Sequence, residues 1–323
     1  MRIFFYLTLL LFIIESCNTN PHQVGIETFL AGKTVTIGST AGWLKDDQSI
    51  ISQPSNVITH HGYTYVFYVS EPSNSLLAGT GYTGKIHYAF SRDQGNTWSD
   101  QGLVLSNGLP GTSDAMGVCK PAVIKVTDDN FFYLYYVAVP EGYNPADGSS
   151  QSKTTFGLAK LIFNDDGIIR VAIKLNSGKP VLETSEANSG KFDAFHIDDP
   201  NPINMNGQIW LYYTGLDKQG GTPRIGLAVS ADINANHIKQ NNSRALLDGS
   251  PSLFQKQDIG VMAIFTDTQT AWYASDGLHF NKLKQKFPTS IKNGRGNGDT
   301  TSLIWGLSDR SADGIGFNKW KIN

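Results

Sequence analysis

The chain has 323 residues, and its 26 lysines and arginines against 28 aspartates and glutamates give a net charge near −2, which disfavours binding to nucleic acid or another polyanion. Charged residues make up 17% and aromatic residues 11%, while glycine is plentiful at 33 residues, a composition that favours turns and sheets and excludes disorder. The length allows one large all-β domain or two smaller ones, and either could bury a substantial core.

The N-terminal residues resemble an export signal. Arg2 precedes an uncharged apolar run, Ile3 to Ile14, that is too short to span a bilayer as a mature helix. The following Glu15-Ser16-Cys17 completes a pattern similar to the processing site of bacterial lipoproteins. The sequence therefore predicts three segments: a signal peptide (1–16), a tether (17–25) that begins with a lipidated Cys17, and a single domain (26–323). We expect a protein of the cell envelope that meets the membrane only through its lipid anchor, with plain secretion as the alternative.

Cys119 is the other cysteine of the chain, so no disulfide within the mature chain is expected. Its neighbours Met116, Val118, Ala122 and Val123 are apolar. This predicts a small core residue rather than a nucleophile.

Short β-rich runs bounded by Gly, Asn, Asp and Pro recur after residue 25, and no helical periodicity of useful length accompanies them. Five runs are typical of central sheet strands: 63–69, 131–137, 208–214, 260–265 and 302–307. A second strand is predicted after each of the first four, at 86–93, 156–160, 225–232 and 271–277.

A residue followed by proline precedes the first three of these central strands, as Gln53-Pro54, Lys120-Pro121 and Asp199-Pro200. About five imperfect units of this kind indicate radial repetition, in which blades of roughly 40–60 residues close around an axis and leave few exposed edges. The sequence therefore predicts an all-β, five-bladed β-propeller. A β-sandwich is the alternative, but it accounts poorly for a strand start that recurs at this long interval.

The segment 91–98, Ser-Arg-Asp-Gln-Gly-Asn-Thr-Trp, fits the S-x-D-x-G-x-x-W pattern called an Asp box, which is common in sialidases and other propellers. Asp93 can bond to the backbone of a hairpin turn, Gly95 can supply a positive φ, and Trp98 can pack beneath the turn. We expect Asp93 to be structural.

The innermost strands of a propeller converge on its axis, so the residues at their starts can surround one pocket. This reasoning places Gln53, Lys120 and Asp199 in the candidate site. The fourth and fifth blades are expected to contribute near Asp258 and Asp299.

The densest polar cluster of the chain, 192–200, contains three carboxylates and one imidazole just before a predicted strand. Strand alternation places Asp199 and Ile197 on one side and Asp198 and His196 on the other. We therefore expect the two groups to have different roles, and the cluster as a whole to be functional.

At these residues the chain resembles the five-bladed propeller glycoside hydrolases, most of all those of family 117 and their relatives in family 43. The segments that carry the resemblance cover nearly the whole mature chain in matching order: 81–89 with 98–102, 114–121, 192–199 leading to 210–215, 273–280 and 305–307. The resemblance implies a glycosidase with axial carboxylates, usually inverting, in which an acid protonates the leaving oxygen and a base roughly 6.5–9.5 Å away activates water. Asp199 matches the family's third-blade Asp, which would stabilise the developing oxocarbenium ion or tune a neighbouring pKa.

Two positions depart from the family pattern. The first blade has Gln53 where relatives commonly carry the Asp that supplies the base, and an amide cannot accept a proton from water at useful rates. The fourth blade has 250–254, Ser-Pro-Ser-Leu-Phe, where relatives of the family 117 type carry a His-Glu pair. Four carboxylates could substitute, and the sequence does not choose among them: Asp46, Asp47, Asp114 and Asp258.

The expected site residues fall into two groups. The catalytic candidates are Asp199, Asp114 and Asp258, and the candidates for sugar binding are His196, Asp198, Lys120 and Gln53. No organic cofactor is expected, although charge crowding is compatible with a Ca²⁺ or other cation near the axial carboxylates.

Three functional hypotheses follow. The first is a glycoside hydrolase that cleaves an oligosaccharide at the bacterial cell envelope. The second is a non-catalytic carbohydrate-binding propeller that has lost the reaction. The third and weaker one is a glycoside phosphorylase, which would need several basic groups for phosphate, whereas Lys120 is the only basic residue among the predicted ring positions.

Overall fold

Five antiparallel sheets contain nearly all the regular structure of the protein. A computed structural model describes residues 33–43, 49–72, 77, 80–126, 131–144, 153–240, 244–256, 260–265, 268–284, 286, 295–296, 305–309 and 316–322. The predicted signal peptide, Cys17 and the tether lie outside these residues.

Each sheet forms one blade, whose strands follow one another from the axis outwards. Blade I contains β2 (Ser49–Ser52), β3 (Ile58–His60), β4 (Tyr63–Pro72), β5 (Lys85–Ser91) and β6 (Ser99–Leu105), and is preceded in the chain by β1 (Val35–Ser39). Blade II contains β7 (Gly117–Ile124), β8 (Phe131–Val139), β9 (Thr155–Phe163) and β10 (Ile169–Lys174), followed by a 3₁₀ turn (Asn176–Gly178). Blade III contains β11 (His196–Met205), β12 (Gln208–Leu216), β13 (Arg224–Ser230), β14 (Ile238–Lys239) and β15 (Leu247–Asp248).

Blade IV contains β16 (Ser252–Lys256), β17 (Gly260–Phe265), β18 (Thr270–Ala274) and β19 (Asn281–Lys282), and blade V contains β20 (Arg295–Gly296), β21 (Trp305–Asp309) and β22 (Phe317–Ile322). The N-terminal strand β1 completes blade V by pairing with β22, with Val35 opposite Ile322. The innermost strands contact one another in sequence, β7 with β11, β11 with β16 and β16 with β20. The prediction of a five-bladed β-propeller is confirmed, and the sandwich alternative is wrong.

The predicted central strands correspond to β4, β8, β12, β17 and β21, and the second strands to β5, β9, β13 and β18. For β21 the observed strand begins at Trp305, and residues 302–304 lie outside the described chain. In β8, Tyr135 and its alternate neighbours pack towards blade III, whereas Leu134 and its alternates pack towards blade I. Both faces of β8 are therefore buried, which explains its unbroken apolar run.

The Asp box lies in the turn between β5 and β6. Asp93 is exposed, and its side chain accepts hydrogen bonds from the backbone N–H groups of Asn96 and Thr97. Trp98 is 3% exposed and stacks on Trp43 with ring centroids 5.6 Å apart. Asp93 thus holds the turn, as the motif predicts.

Cys119 is fully buried and belongs to the apolar cluster between blades II and III, which confirms its prediction as a core residue. Within the described residues, no helix is long and apolar enough to cross a membrane.

Candidate functional site

The three predicted x-Pro positions share an unusual backbone conformation. Gln53, Lys120 and Asp199 have φ values of 54°, 47° and 48°, in the left-handed region that non-glycine residues rarely adopt. Pairing is interrupted at each one. Cys119 and Ala122 pair with Val137 and Tyr135, so β7 carries one extra residue at Lys120. A β-bulge of this kind re-aims a side chain, and strained residues, which cost about 1–3 kcal/mol each, cluster at functional sites.

The same distortion recurs in blades I and III. In β11 one extra residue lies between Asp198 and Asn201, and in blade I the ladder to β4 breaks between β2 and β3. The internal repeat read from the sequence is therefore a repeat of backbone geometry. It brings Gln53, Lys120 and Asp199 to equivalent places around the axis.

Ser250 and Arg295 complete this axial ring from blades IV and V. The Ser250 hydroxyl donates to Asp199 Oδ2 at 2.7 Å, and Arg295 Nη2 donates to Asp199 Oδ1 at 2.7 Å. Arg295 Nη1 also donates to Asn201 Oδ1 at 3.0 Å. The ring thus consists of one residue from each blade: Gln53, Lys120, Asp199, Ser250 and Arg295.

The prediction that blade IV contributes near Asp258 is wrong about where this blade starts, whereas the innermost strand of blade V, β20, lies close to the predicted Asp299. Strand β16 begins directly after Ser250-Pro251, so the fourth x-Pro pair precedes it, and residue 258 comes only after its end. Asp258 and Asp299 themselves lie outside the described residues.

Gln53 joins blades I, II and V. Its Oε1 accepts a hydrogen bond from the backbone N–H of Lys120 at 3.0 Å, and its Nε2 donates to the Gly81 carbonyl at 2.8 Å. Its own backbone N–H donates to Asp309 Oδ1 at 3.0 Å. Both ends of the amide are therefore engaged by the protein. The described contacts give Gln53 a structural role, and the sugar contact expected from the sequence stays a prediction.

Lys120 and Asp198 form an ion pair beside the axis. Lys120 Nζ donates to Asp198 Oδ2 and lies 3.7 Å from Asp199 Oδ1. Burial alone would lower the pKa of Lys120, but the charges of Asp198 and Asp199 outweigh it and hold this pKa well above its ordinary value. Burial would likewise raise the pKa of Asp198, but the charge of Lys120 and the hydrogen bond and charge of His196 hold it well below its usual range. Both groups are therefore charged at neutral pH.

Tyr82 connects this pair to His196. Burial and the neighbouring carboxylate raise the pKa of Tyr82, so its hydroxyl keeps its proton and donates to Asp198 Oδ2 at 2.7 Å. His196 Nε2 lies 3.1 Å from the same hydroxyl and must be the donor there. The ring of Tyr82 also lies 5.2 Å from Lys120 Nζ. Tyr82 thus contacts both His196 and Asp198, whereas Asp199 contacts Arg295. The two groups that strand alternation separates therefore have different partners.

Asp114 lies apart from the axial ring. Its carboxylate is 2% exposed, pairs with Lys174 Nζ at 2.5 Å and accepts a hydrogen bond from the Tyr136 hydroxyl at 3.2 Å. Lys174 belongs to β10, the outermost strand of blade II. The structure therefore does not bring Asp114 together with Asp199.

Sequence reasoning missed Ser250, Arg295 and Tyr82 as parts of this site. The proline after Ser250 was the available signal, since it repeats the x-Pro pattern of the first three blades. Arg295 had no comparable signal, because β20 is only two residues long.

A narrow channel of about 200 Å³ continues along the axis beyond the bulges. Its walls are the innermost strands, with Asn56, Pro121, Pro200, Ser252 and Arg295 among the lining residues. Within the described part of the chain, no three His, Cys, Asp or Glu side chains are grouped to hold a metal ion. The axial aspartates are instead met by Lys120 and Arg295.

Solved structures of glycoside hydrolases have the same fold. A family 117 glycoside hydrolase produced by the marine bacterium Zobellia galactanivorans matches with a TM-score of 0.70 at 19% identity, over 90% of each chain. Sucrose-6-phosphate hydrolase from Lactobacillus gasseri matches with a TM-score of 0.60 at 11% identity, over 94% of this chain and 63% of that one. Fructan 1-exohydrolase IIa from Cichorium intybus, in complex with 1-kestose, matches with a TM-score of 0.55 at 14% identity, over 87% of this chain and 57% of that one.

No protein-family model and no curated protein matches the chain. At the identities of the solved structures the likeness establishes the fold. The chain has the five-bladed β-propeller architecture that these glycoside hydrolases share, as its resemblance to them predicts.

Proposed function

We propose that the protein is a glycoside hydrolase that cleaves an oligosaccharide at the propeller axis, with Asp199 at the reaction centre. The observation that carries the proposal is the position of Asp199. Its carboxylate is 19% exposed, stands in the ring to which all five blades contribute, and is oriented by Arg295 and Ser250. The shared fold supports a sugar ligand, since one of the similar structures holds 1-kestose.

The charge on Asp199 suits the chemistry of glycoside cleavage. As the bond to the leaving oxygen breaks, positive charge develops on the sugar ring, and a fixed carboxylate nearby stabilises it. Two hydrogen-bond donors from different blades hold Asp199 in place, so little reorganisation is needed during the reaction.

An inverting reaction also needs an acid for the leaving oxygen and a base for the attacking water, roughly 6.5–9.5 Å apart. Gln53 cannot be this base, and Asp114 pairs with Lys174 away from the ring. Residue 258 follows the far end of β16. We therefore assign the remaining groups to Asp46 and Asp47, which lie outside the described residues.

A carbohydrate-binding propeller without activity is the second candidate, and one observation favours it. Gln53 stands where a base is expected and is tied by both ends of its amide, while Asp198 and Asp199 both pair with cations. Such an axis could bind sugar hydroxyls without cleaving the glycosidic bond.

A panel of neutral and acidic oligosaccharides, assayed for released reducing ends with and without inorganic phosphate, separates the candidates. Hydrolysis predicts phosphate-independent release, and a phosphorylase predicts release of sugar phosphate only when phosphate is present. Binding detected by calorimetry without release on any substrate would contradict the hydrolase and support the binding protein. On any substrate that is cleaved, Asp199→Asn is compared with the wild type. Its matched control is Asp248→Asn, which removes a carboxylate that is 79% exposed on the outer strand β15.

We also propose that the protein is anchored at the cell envelope through Cys17. The motif at the end of the apolar N-terminal run supports this location. Replacing Cys17 by Ser should move the protein from the membrane fraction to the soluble fraction of the expressing cells. Unchanged membrane association would contradict the lipid anchor.

A further inference from the structure

A groove of about 710 Å³ opens between blades III and IV, and it shares no residue with the axial ring. One wall is formed by β12 and β13, and the other by the residues that join β18 to β19. Its volume lies within the ~300–1,000 Å³ typical of small-molecule sites. The lining residues include Gln208, Trp210, Leu227, Val229, Phe280 and Asn281.

The interface between blades I and II offers a comparison, because a tyrosine makes the same kind of contact there. The Tyr65 hydroxyl donates to the Gly167 carbonyl of blade II at 2.8 Å, and the Tyr212 hydroxyl donates to the Gly277 carbonyl of blade IV at the same distance. The two tyrosines therefore mark equivalent places at two blade interfaces.

Side-chain size differs at the positions opposite these tyrosines. Tyr65 pairs with Phe90, whereas Tyr212 pairs with Leu227. Two residues further along, Arg92 lies over the rings of Tyr63 and Phe90 at 5.1 and 5.9 Å, whereas the corresponding residue of blade III is Val229. Leu227 and Val229 are smaller than their counterparts in blade I, and both line the groove. Trp210 stands two residues before Tyr212, where blade I has Tyr63, and its ring lines the same groove.

The lining of the groove indicates the class of ligand. Trp210 and Phe280 supply aromatic rings, and Gln208 and Asn281 supply exposed amides that both donate and accept hydrogen bonds. Among the described lining residues His279 alone is titratable, and its Nδ1 is bonded to Asp276 Oδ2 at 2.6 Å. No lysine, arginine or carboxylate belongs to this described lining, so these residues offer a charged ligand no unpaired counter-charge.

We propose that this groove is a second saccharide-binding site, which takes an uncharged oligosaccharide. The apolar C–H faces of the sugar rings lie on the aromatic side chains, and the hydroxyls bond to the amides. The proposal goes beyond cleavage at the axis and does not depend on it.

The test uses ¹⁹F NMR of the full chain labelled with 5-fluorotryptophan, with the Trp210 resonance assigned from its loss in Trp210→Phe. The probes are cellohexaose, xylohexaose, mannohexaose and a linear fructo-oligosaccharide. At least one should shift the Trp210 resonance saturably. Val229→Arg, which introduces into the groove the residue type found at the equivalent position of blade I, should weaken this binding by about tenfold or more.

Val171→Arg is the matched control, because it makes the same change at an exposed position of β10 and should leave the affinity unchanged. Gln208→Ala, at an exposed lining position, should weaken binding without any effect on folding. Binding that shifts Trp210 but is unaffected by both Val229→Arg and Gln208→Ala would overturn the proposal.

The proposal would also be overturned if none of the saccharides shifted the Trp210 resonance. A short leucine-rich peptide that shifted this resonance when no saccharide did would overturn it as well. Asp199→Asn should leave the Trp210 response intact. The two proposals can therefore fail separately. Absence of reducing-end release would contradict the activity at the axis, and absence of the Trp210 response would contradict saccharide binding in the groove.

Discussion

The side-chain oxygen of Gln53 accepts the backbone N–H of Lys120 at 3.0 Å, so the x-Pro residues of two successive blades are bonded directly to each other. The bond forms at a place where both residues have a positive φ, and it spans 67 positions of the chain. It holds the bulge of β7 against the break between β2 and β3. An amide at position 53 therefore serves the structure, because a carboxylate there could not donate to the Gly81 carbonyl.

Replacing Gln53 by Ala should lower the free energy of unfolding by about 1–3 kcal/mol, because the Gly81 carbonyl and the Lys120 N–H each lose a partner. Urea denaturation followed by circular dichroism measures this change. Gln101→Ala removes an amide whose described bonds reach only Ser99 and Asp100 of the same strand, and it should change stability by much less. Equal effects of the two variants would contradict the bridging role of Gln53.

The Lys120–Asp198 pair should make stability depend on pH in acid. The pKa of Asp198 in the folded chain lies below its unfolded value, so the carboxylate stabilises the fold above the ordinary Asp value of about 4. This contribution is lost as the pH falls towards the folded pKa. The urea midpoint of the wild type should therefore decrease below about pH 4 more steeply than that of Asp198→Asn.

Other carboxylates add to the acid dependence. Hydrogen bonds from Thr97 lower the pKa of Asp93 to about 2, for example. The informative quantity is thus the difference in slope between the wild type and Asp198→Asn, with the exposed Asp248→Asn as control. Parallel pH profiles for the wild type and Asp198→Asn would show that the buried pair contributes nothing.

Asp199→Asn should lower turnover by about 100-fold or more on any substrate that the wild type cleaves, while sugar affinity changes little. The amide keeps the shape of the side chain but loses the charge that stabilises a cationic transition state. Steady-state kinetics give the change in kcat, and calorimetry gives the affinity. Full activity in this variant would remove Asp199 from the catalytic centre even though the fold is correct.

Trp98→Ala should destabilise the protein by about 3–5 kcal/mol, because the indole is buried beneath the Asp-box turn and stacks on Trp43. Thermal unfolding measures the loss. Leu109→Ala, at a position that is 78% exposed, is the control and should be close to neutral. Sugar affinity of the folded fraction should remain that of the wild type, and a direct loss of binding would place Trp98 in the ligand site.

The equivalence of Gln53, Lys120 and Asp199 could be predicted because proline marks the strand interruption in each blade. The role of Arg295 could not be predicted, because β20 is too short to show strand alternation. The side chain of Arg295 meets Asp199 only through the packing of blade V against blade III. Asp114 shows the opposite case. It was a candidate to replace the missing family carboxylates, but in the structure it pairs with Lys174 of β10, three strands out from β7.

The pairing of β1 with β22 has a consequence for the order of folding. Thr40 donates both its backbone N–H and its hydroxyl to the carbonyl of Phe317, 277 residues further along the chain. During synthesis β1 therefore emerges early, and its edge stays unpaired until β22 has left the ribosome. Contacts of such high sequence separation slow folding, and open strand edges favour aggregation. Ring closure is thus a late step, and a nascent chain that stops before Phe317 should be captured by chaperones rather than form a stable four-bladed fragment.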